Sequence, residues 1–467
     1  MPTWKKIIYG AGDSGFSLTS TALALLYLDF LVNIVGLDPR LAGVSIGLGR
    51  IWDAINDLVI GTLSDRTRSR WGRRRPYLLF GALPFGLTFI LMWLIPATRN
   101  QTTLLIYYTA MYILFDTFFT LVNVPYIALT PELAPAYDER TSLHSYRMAF
   151  SIGFGLLGAV APLAIVDAIA GAGSVTRHGA YLGMAAILGL ASVLPVWLVF
   201  ATVRERPEFQ DLPTPGLMDS FRMAASNRAF LIAAGVYLLT WMPIDLIQFV
   251  LVFLIRDYFR LAGGARDMIF LLLFGVGVLA LPLWVWVSHK LDKPRAYQLG
   301  MAFMAVVLLA LSFIPSGETN LVFVLAALAG VGVSAAHAIP LAILPDVIDW
   351  DELRRAQRQE AAYYSVITLI QKLVGALTIA VTGLALSATG YMANAAAGAQ
   401  QPASALWAIR LLTGPLPAAF FIAGIVLVSF YPISRERHAR IVTLLEKRRR
   451  QRLARADRAQ TAPKDMP

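Results

Sequence analysis

The stretch Gly61-Thr-Leu-Ser-Asp65-Arg66-Thr-Arg-Ser-Arg70-Trp-Gly72-Arg73-Arg-Arg75 places six arginines and one aspartate between two long apolar segments, near residues 41–63 and 77–97. Charge so dense between runs so apolar marks a short loop outside a membrane, joining two segments that cross it. The rest of the chain repeats the pattern. Of its 467 residues 57% are hydrophobic and only 15% charged, too apolar for a chain that must hide its surface from water. Uncharged runs of about 20 residues, such as 78–97 and 182–201, match the roughly 30 Å of a hydrocarbon core crossed as helix. Lipid offers the backbone no hydrogen-bond partner, and the runs do not alternate as barrel strands would, so the fold class is all-α.

Twelve spans are expected, near 16–35, 41–63, 77–97, 102–128, 147–168, 180–202, 229–256, 268–288, 296–315, 319–344, 361–388 and 408–432. They form two sets of six: an N-terminal bundle over 1–202, a polar linker with three prolines over 203–228, a C-terminal bundle over 229–433 and a basic tail over 434–467. The net charge of +11 is carried by alternate connections, including Lys5-Lys6, Arg66 to Arg75, Arg204 to Arg206, Lys290 to Arg295, Arg354 to Arg358 and the tail. This positive-inside pattern places both termini in the cytoplasm of an inner-membrane protein, with membrane lipid rather than nucleic acid facing the basic tail. The short basic start, Met1 to Lys6, lacks a small-residue cleavage signal and reads as the beginning of a retained helix. With no cysteine, disulfides, thiolate metal sites and cysteine nucleophiles are excluded.

The halves repeat weakly. Pro125-Tyr-Ile-Ala-Leu-Thr-Pro-Glu-Leu133 ends the fourth span and Pro340-Leu-Ala-Ile-Leu-Pro-Asp-Val347 the tenth; Ser64-Asp65-Arg66 leaves the second and Ser288-His289-Lys290 the eighth. Two repeated six-helix halves with a site at mid-membrane are the architecture of an alternating-access transporter. An enzyme would need a catalytic constellation, and no His cluster, Gly-rich phosphate loop or Ser-His pairing is found.

Charges at bilayer depth are costly and default to functional roles. In Arg50-Ile-Trp-Asp53-Ala-Ile-Asn56-Asp57 the i,i+4 spacing sets both carboxylates on one helix face beside Asn56. Two such charges need a cation: Na⁺, a shared proton or a lysine from another helix. Lys372, deep in the eleventh span, is the candidate lysine. Asp116, Asp245 with Gln248, His337 and Trp241 are further polar groups able to line a cavity, Trp241 by stacking on a sugar. Asp29 and Asn33 lie near the outer end of the first span.

The loop from Gly61 to Arg75 resembles the cytoplasmic loop motif of the major facilitator superfamily, which implies gating contacts for Asp65, Arg66 and Arg70. The stretches Arg50 to Asp57, Asn123-Val-Pro-Tyr126 through Pro131-Glu-Leu133 to Asp138-Glu-Arg-Thr141, and Asp346-Val-Ile-Asp-Trp350 in the loop after the tenth span resemble the glycoside–pentoside–hexuronide:cation symporter family. That resemblance implies a Na⁺ site at Asp53, Asn56, Asp57 and Thr120, an ion-linked lysine at Lys372 and a sugar-contacting arginine at Arg147. H⁺ or Li⁺ remain open as coupling ions. It also implies a small organic solute, a sugar, glycoside or uronide, and a chain that works as a monomer. The family's galactoside carriers have aspartates and a tryptophan where this chain has Ser17, Asn123 and Ile127, so a different solute is expected. The related animal sodium-dependent lysolipid symporters keep the ion site with an apolar pocket, and an amphiphile is the alternative.

Overall fold

The computed structural model describes residues 2–133, 137–173, 176–204, 222, 224–355, 360–393, 400–441, 443–445 and 447. Most of the expected linker, and the tail from 448 onward, lie outside the described residues. Among those described, twelve long helical segments run in chain order: α1 (Thr3–Val35), α2 (Pro39–Arg66), α3 (Arg75–Met92), α4 (Gln101–Leu133), α5 (Tyr137–Gly171), α6 (Arg177–Thr202), α7 (Arg228–Tyr258), α8 (Gly264–Leu291), α9 (Lys293–Phe313), α10 (Thr319–Arg355), α11 (Glu360–Ala388) and α12 (Ala403–Val428). Eleven are long and apolar enough to cross a membrane. The twelfth, α2, is 28 residues long but carries Arg50, Asp53 and Asp57. Its charges, not its length, set it apart.

Local chemistry sets the ends. Pro39 opens α2 while the Asp38 carboxylate accepts from the Arg40 N–H, and Asn227 accepts from the N–H groups of Ala229 and Phe230 to start α7. Helix α1 begins earlier than its apolar run suggested, because the amphipathic turns Thr3–Ala11 precede a break at Gly12 and Asp13. Residues 346–350, expected in a loop, are helical instead: α10 runs on to Arg355 through Pro340 and Pro345.

The internal repeat is physical. Helices α1 and α7 both end in π-helical turns, Phe30–Val35 and Leu254–Tyr258. Each is followed by a residue at positive φ, Gly36 at 82° and Arg260 at 56°. Each chain then turns back with the same bond, Leu37 N–H to the Leu31 carbonyl and Leu261 N–H to the Ile255 carbonyl, both 2.9 Å. At the basic-loop end, Arg74 donates to the carbonyl of Ala128 on α4, and Lys293 donates to that of Ala342 on α10 at 2.8 Å. Both carbonyls lie three residues before a proline, Pro131 or Pro345, next to the carbonyl that the missing proline N–H would have bonded.

In the first half α2 packs on α4, α1 on α5, and α3 on α4 and α6; in the second α8 and α9 pack on α10, and α7 and α9 on α12. The halves meet chiefly where α2 lies along α11 and α1 along α7. The first of these contacts is close because both helices present glycine. A Cβ on Gly43 would stand 2.8 Å from the Ile379 carbonyl oxygen, and one on Gly383 would run into that of Pro39.

Gly383→Leu therefore forces α2 and α11 apart. A fall in stability of about 1–3 kcal/mol is expected, read as a lower melting temperature of the purified protein. An unchanged melting temperature would mean that the two helices are not in close contact in the membrane protein.

Candidate functional site

The regular helix of α2 carries Asn56 turned to α4 and, beside it, Asp53 and Asp57 on the face turned to α11. There the Lys372 ammonium donates to Asp53 Oδ1 at 2.6 Å and Asp57 Oδ2 at 2.5 Å. Both contacts cross from one six-helix half to the other. The lysine side chain is 21% exposed, Asp53 21% and Asp57 31%. Pairs this sheltered are held by good geometry, and losing either partner strands a charge, at a cost of about 3–5 kcal/mol. Thr120 on α4 donates to Asp57 Oδ1 at 3.4 Å. The Asn56 amide nitrogen faces the Asp116 carbonyl at 3.3 Å and its carboxylate at 3.5 Å. Trp52 fixes α2 against α4 by donating to Thr117 at 2.9 Å. Two carboxylates thus close on one ammonium, with a hydroxyl beside Asp57 and the Asn56 amide turned to Asp116. The donor set is all oxygen, which suits a hard monovalent cation.

Asp116, read from sequence only as a cavity group, stands behind this cluster, buried on α4. One turn before Asp53, Arg50 reaches across to α7, with Nη1 4.0 Å from Asp245 Oδ2 and the guanidinium 5.0 Å over the Phe249 ring.

The expected solute residues fall in separate places. On the first half, Ser17 and Ser151 share a hydrogen bond of 2.6 Å, and Arg147 on α5 lies 3.8 Å from Asp13. Asp13 was not singled out from sequence, since only the break after Ala11 aims it at α5. Asn123 is half-buried on α4, and Ile127 is 41% exposed. On the second half, the Trp241 ring meets His337 edge-on at 4.7 Å, and its buried indole N–H has no partner among the described residues. Beside them is a cavity of about 220 Å³ between α7, α8, α9 and α10. Its walls are apolar, with Leu251, Leu273, Leu308 and Leu325 among them, and its polar groups are Thr21, Gln248 and His337.

At the end away from the basic loops, charged contacts tie the halves together. Arg256 on α7 donates to Asp29 on α1 at 2.5 Å, to Asp257 at 2.8 and 2.9 Å, and to the Tyr391 hydroxyl at 2.8 Å. Asn33 donates to Asp29 at 2.8 Å, and Tyr391 links Asn33 and Asp257 at 3.2 and 2.7 Å. A second tie joins Arg266 on α8 to Asp167 on α5 at 2.9 Å. The π turns aim these groups. Asp29 and Asn33, ambiguous in sequence, belong to this latch. At the basic end, Arg66 is exposed, Arg70 stacks on Trp71 at 4.0 Å, and the Asp65 side chain lies outside what is described. Arg74 and Arg75 are the loop arginines seen gripping neighbouring helices, Arg75 by donating to the Phe200 carbonyl on α6 at 2.7 Å.

Twelve helices in two packed halves, with buried charge at their interface, define a membrane transporter of the major facilitator fold, and the chain belongs to the family described as MFS/sugar transport protein, which matches residues 8–435. It is similar to an uncharacterized symporter of Synechocystis sp., at 36% identity over 95% of this chain and 96% of the relative. It is also similar to the sodium-dependent lysophosphatidylcholine symporter 1-A of Danio rerio, at 25% identity over 94% and 87%, and to the inner membrane symporter YicJ of Escherichia coli, at 28% over 92% of both. Among solved structures, a D-xylose–proton symporter superposes with a TM-score of 0.65 at 14% identity, covering 91% of this chain and 97% of the other. The chain is a multi-pass symporter of this superfamily.

If the Arg256 cluster holds one end shut, Arg256→Ala opens it. The chain has no cysteine, so Ser17→Cys supplies a single thiol. Its labelling by an impermeant reagent from the side opposite the basic loops is expected to rise several-fold in the Arg256→Ala background. Equal labelling in both backgrounds would show that the cluster is not a gate.

Proposed function

We propose that this protein is a Na⁺-coupled symporter that takes up a small organic solute, a sugar, glycoside or uronide, by rocking its two halves about a central site. The observation that carries this reading is Lys372 from the second half seated between Asp53 and Asp57 of the first. A Na⁺ ion entering Asp53, Asn56, Asp57 and Thr120 must displace the ammonium, because the two carboxylates cannot satisfy both cations at full strength. Displacement removes the mid-membrane tie between the halves, so ion occupancy and the packing of α2 on α11 become one equilibrium.

The basic loops support an inner-membrane orientation with both termini cytoplasmic, which makes the Arg256 end the outer one. The latch then excludes the outside. Asp65, Arg66 and Arg70 act with Arg74 and Arg75 at the inner gate. Ser17, Asn123, Ile127 and Arg147 offer one wall to the solute, and Trp241 the other. The Arg147, Asp13, Ser17 and Ser151 group suits hydroxyls or an anionic head. The Danio rerio relative is named for Na⁺-dependent lysolipid symport, and an Escherichia coli relative, 27% identical, is named for glycoside/cation symport. A second reading, an amphiphile of the lysophospholipid kind, is favoured by the apolar cavity beside Trp241 and His337.

The test is thermal stabilisation of the purified protein by Na⁺, Li⁺ or K⁺, alone and then with a panel of glycosides, uronides and lysophospholipids. A ligand at about 100 times its Kd adds about 2.7 kcal/mol to the folded state. Na⁺ is expected to raise the melting temperature, the rise to vanish in Asp53→Ala, and one solute class to add to it. Asp57→Asn, at normal expression, is expected to abolish Na⁺-driven accumulation in vesicles. Retained accumulation would remove Asp57 from the coupling site, whereas no Na⁺ effect at any pH would discard the Na⁺ assignment in favour of proton coupling.

A further inference from the structure

The lysine that leaves Asp53 and Asp57 cannot remain unpaired at bilayer depth, and the geometry points to where it goes. Asp245 on α7 belongs to the same half as Lys372. Its side chain is 16% exposed, and its one charged neighbour among the described residues is Arg50, at the loose distance of 4.0 Å. No hydrogen bond to its carboxylate is found among those residues. A carboxylate has about four acceptor positions, so this one keeps capacity to spare. It also faces the right helix: a Cβ built on Gly375 would stand 3.2 Å from Asp245 Oδ2 and 2.8 Å from Arg50 Nη1. Gly375 is three residues after Lys372 on α11, so the two positions share a helix face and are one turn apart, a span that a flexible lysine side chain bridges.

We infer that Asp245 is the acceptor that receives Lys372 when a cation occupies Asp53 and Asp57. Resting on the Na⁺-site reading above, this makes Asp245 a positioning residue for the coupling lysine rather than a solute contact. Before cation entry, the ammonium ties α11 to the opposite half through α2. Afterwards it is held by α7, within its own half, and the lysine's own tie across the interface is gone, leaving there only the looser approach of Arg50 to Asp245 at 4.0 Å. The swap keeps every buried ammonium and carboxylate matched throughout. Arg50 stays over Phe249 at its loose distance from Oδ2, and the spare acceptor positions of the Asp245 carboxylate take the ammonium beside it.

The test titrates Na⁺ against the melting temperature with no solute present, so that a solute contact would leave it unmoved. Asp245→Asn is expected to raise half-saturating Na⁺ about tenfold in the wild-type background and less than about twofold in a Lys372→Gln background, since the effect runs through the lysine. An equal rise in both backgrounds would mean that Asp245 acts only through its field on the ion, and no rise in the wild-type background would mean that it does not act on the ion at all; either overturns the proposal. Should the single neutral variant fail to assemble, Arg50→Gln/Asp245→Asn, which leaves neither partner of that pair charged, carries the same expectations and the same overturning results. If Na⁺ shifts neither the wild-type protein nor Asp53→Ala, the cation-site reading fails and this inference falls with it. A Na⁺ response in wild type that Asp245→Asn leaves unchanged sinks the inference alone.

Discussion

Buried charge in a membrane must be matched, and in this chain the match crosses the interface between two mobile halves. Asp53 and Asp57 lie on α2, and the ammonium that satisfies them lies on α11. Had the lysine been on α4, the cluster would hold the first half together and nothing more. Because it comes from the other half, anything that competes for the two carboxylates also competes with the packing of α2 on α11. The close approach at Gly43 and Gly383 brings the helices near enough for a lysine to span the gap. The latch of Arg256, Asp29 and Tyr391 is a second tie, at a different height on the same interface.

The spans were legible in the sequence because lipid imposes one solution on the backbone, and apolar length then counts the helices almost without ambiguity. The face of α2 was legible for a similar reason, since i,i+4 spacing in a helix fixes which carboxylates are neighbours. Lys372 could be named as their partner because it is a lysine far from either end of its span. What could not be read depends on how helices rotate against each other. Asp116 was visible as a buried acid, yet only the packing of α4 on α2 places it behind Asn56. Asp13 gave no signal, and Asp29 and Asn33 an ambiguous one, since the break after Ala11 and the π turn after Asp29 decide where they point. The helix through 346–350 was missed because two prolines read as an ending, whereas Lys293 covers a carbonyl in that region and the helix carries on.

The two halves use one set of mechanical parts. The same turn ends α1 and α7, and a basic side chain covers the equivalent carbonyl on α4 and α10. The charges on these parts differ. Carboxylates sit on α2 and the compensating lysine on α11; Asp29 ends α1 where Arg256 ends α7. Where equivalent helices meet, at α1 and α7, a symmetric protein would place like charges opposite one another. Divergence of charge on a repeated scaffold is what lets the halves attract, and it is therefore the part of the repeat that bears on coupling.

The same asymmetry extends to the walls around the interface. The first half contributes Arg147, Asp13, Ser17 and Ser151, and the second contributes Trp241, His337 and the apolar cavity among α7 to α10. Relatives named for glycoside symport and for lysolipid symport are about equally distant in sequence, so family distance does not choose between them. Their solutes do share a feature, a polar group that needs hydrogen-bond partners, and they differ in how much apolar surface is attached to it. The polar group of the first half and the apolar cavity of the second offer one surface for each requirement, and this chain departs from the galactoside pattern on the polar side. Ser17, Asn123 and Ile127 remove carboxylate and aromatic grip while leaving Arg147 in place. Under the reading proposed above, a uronide, whose carboxylate Arg147 can hold, loses less by that change than a neutral galactoside gripped at every hydroxyl.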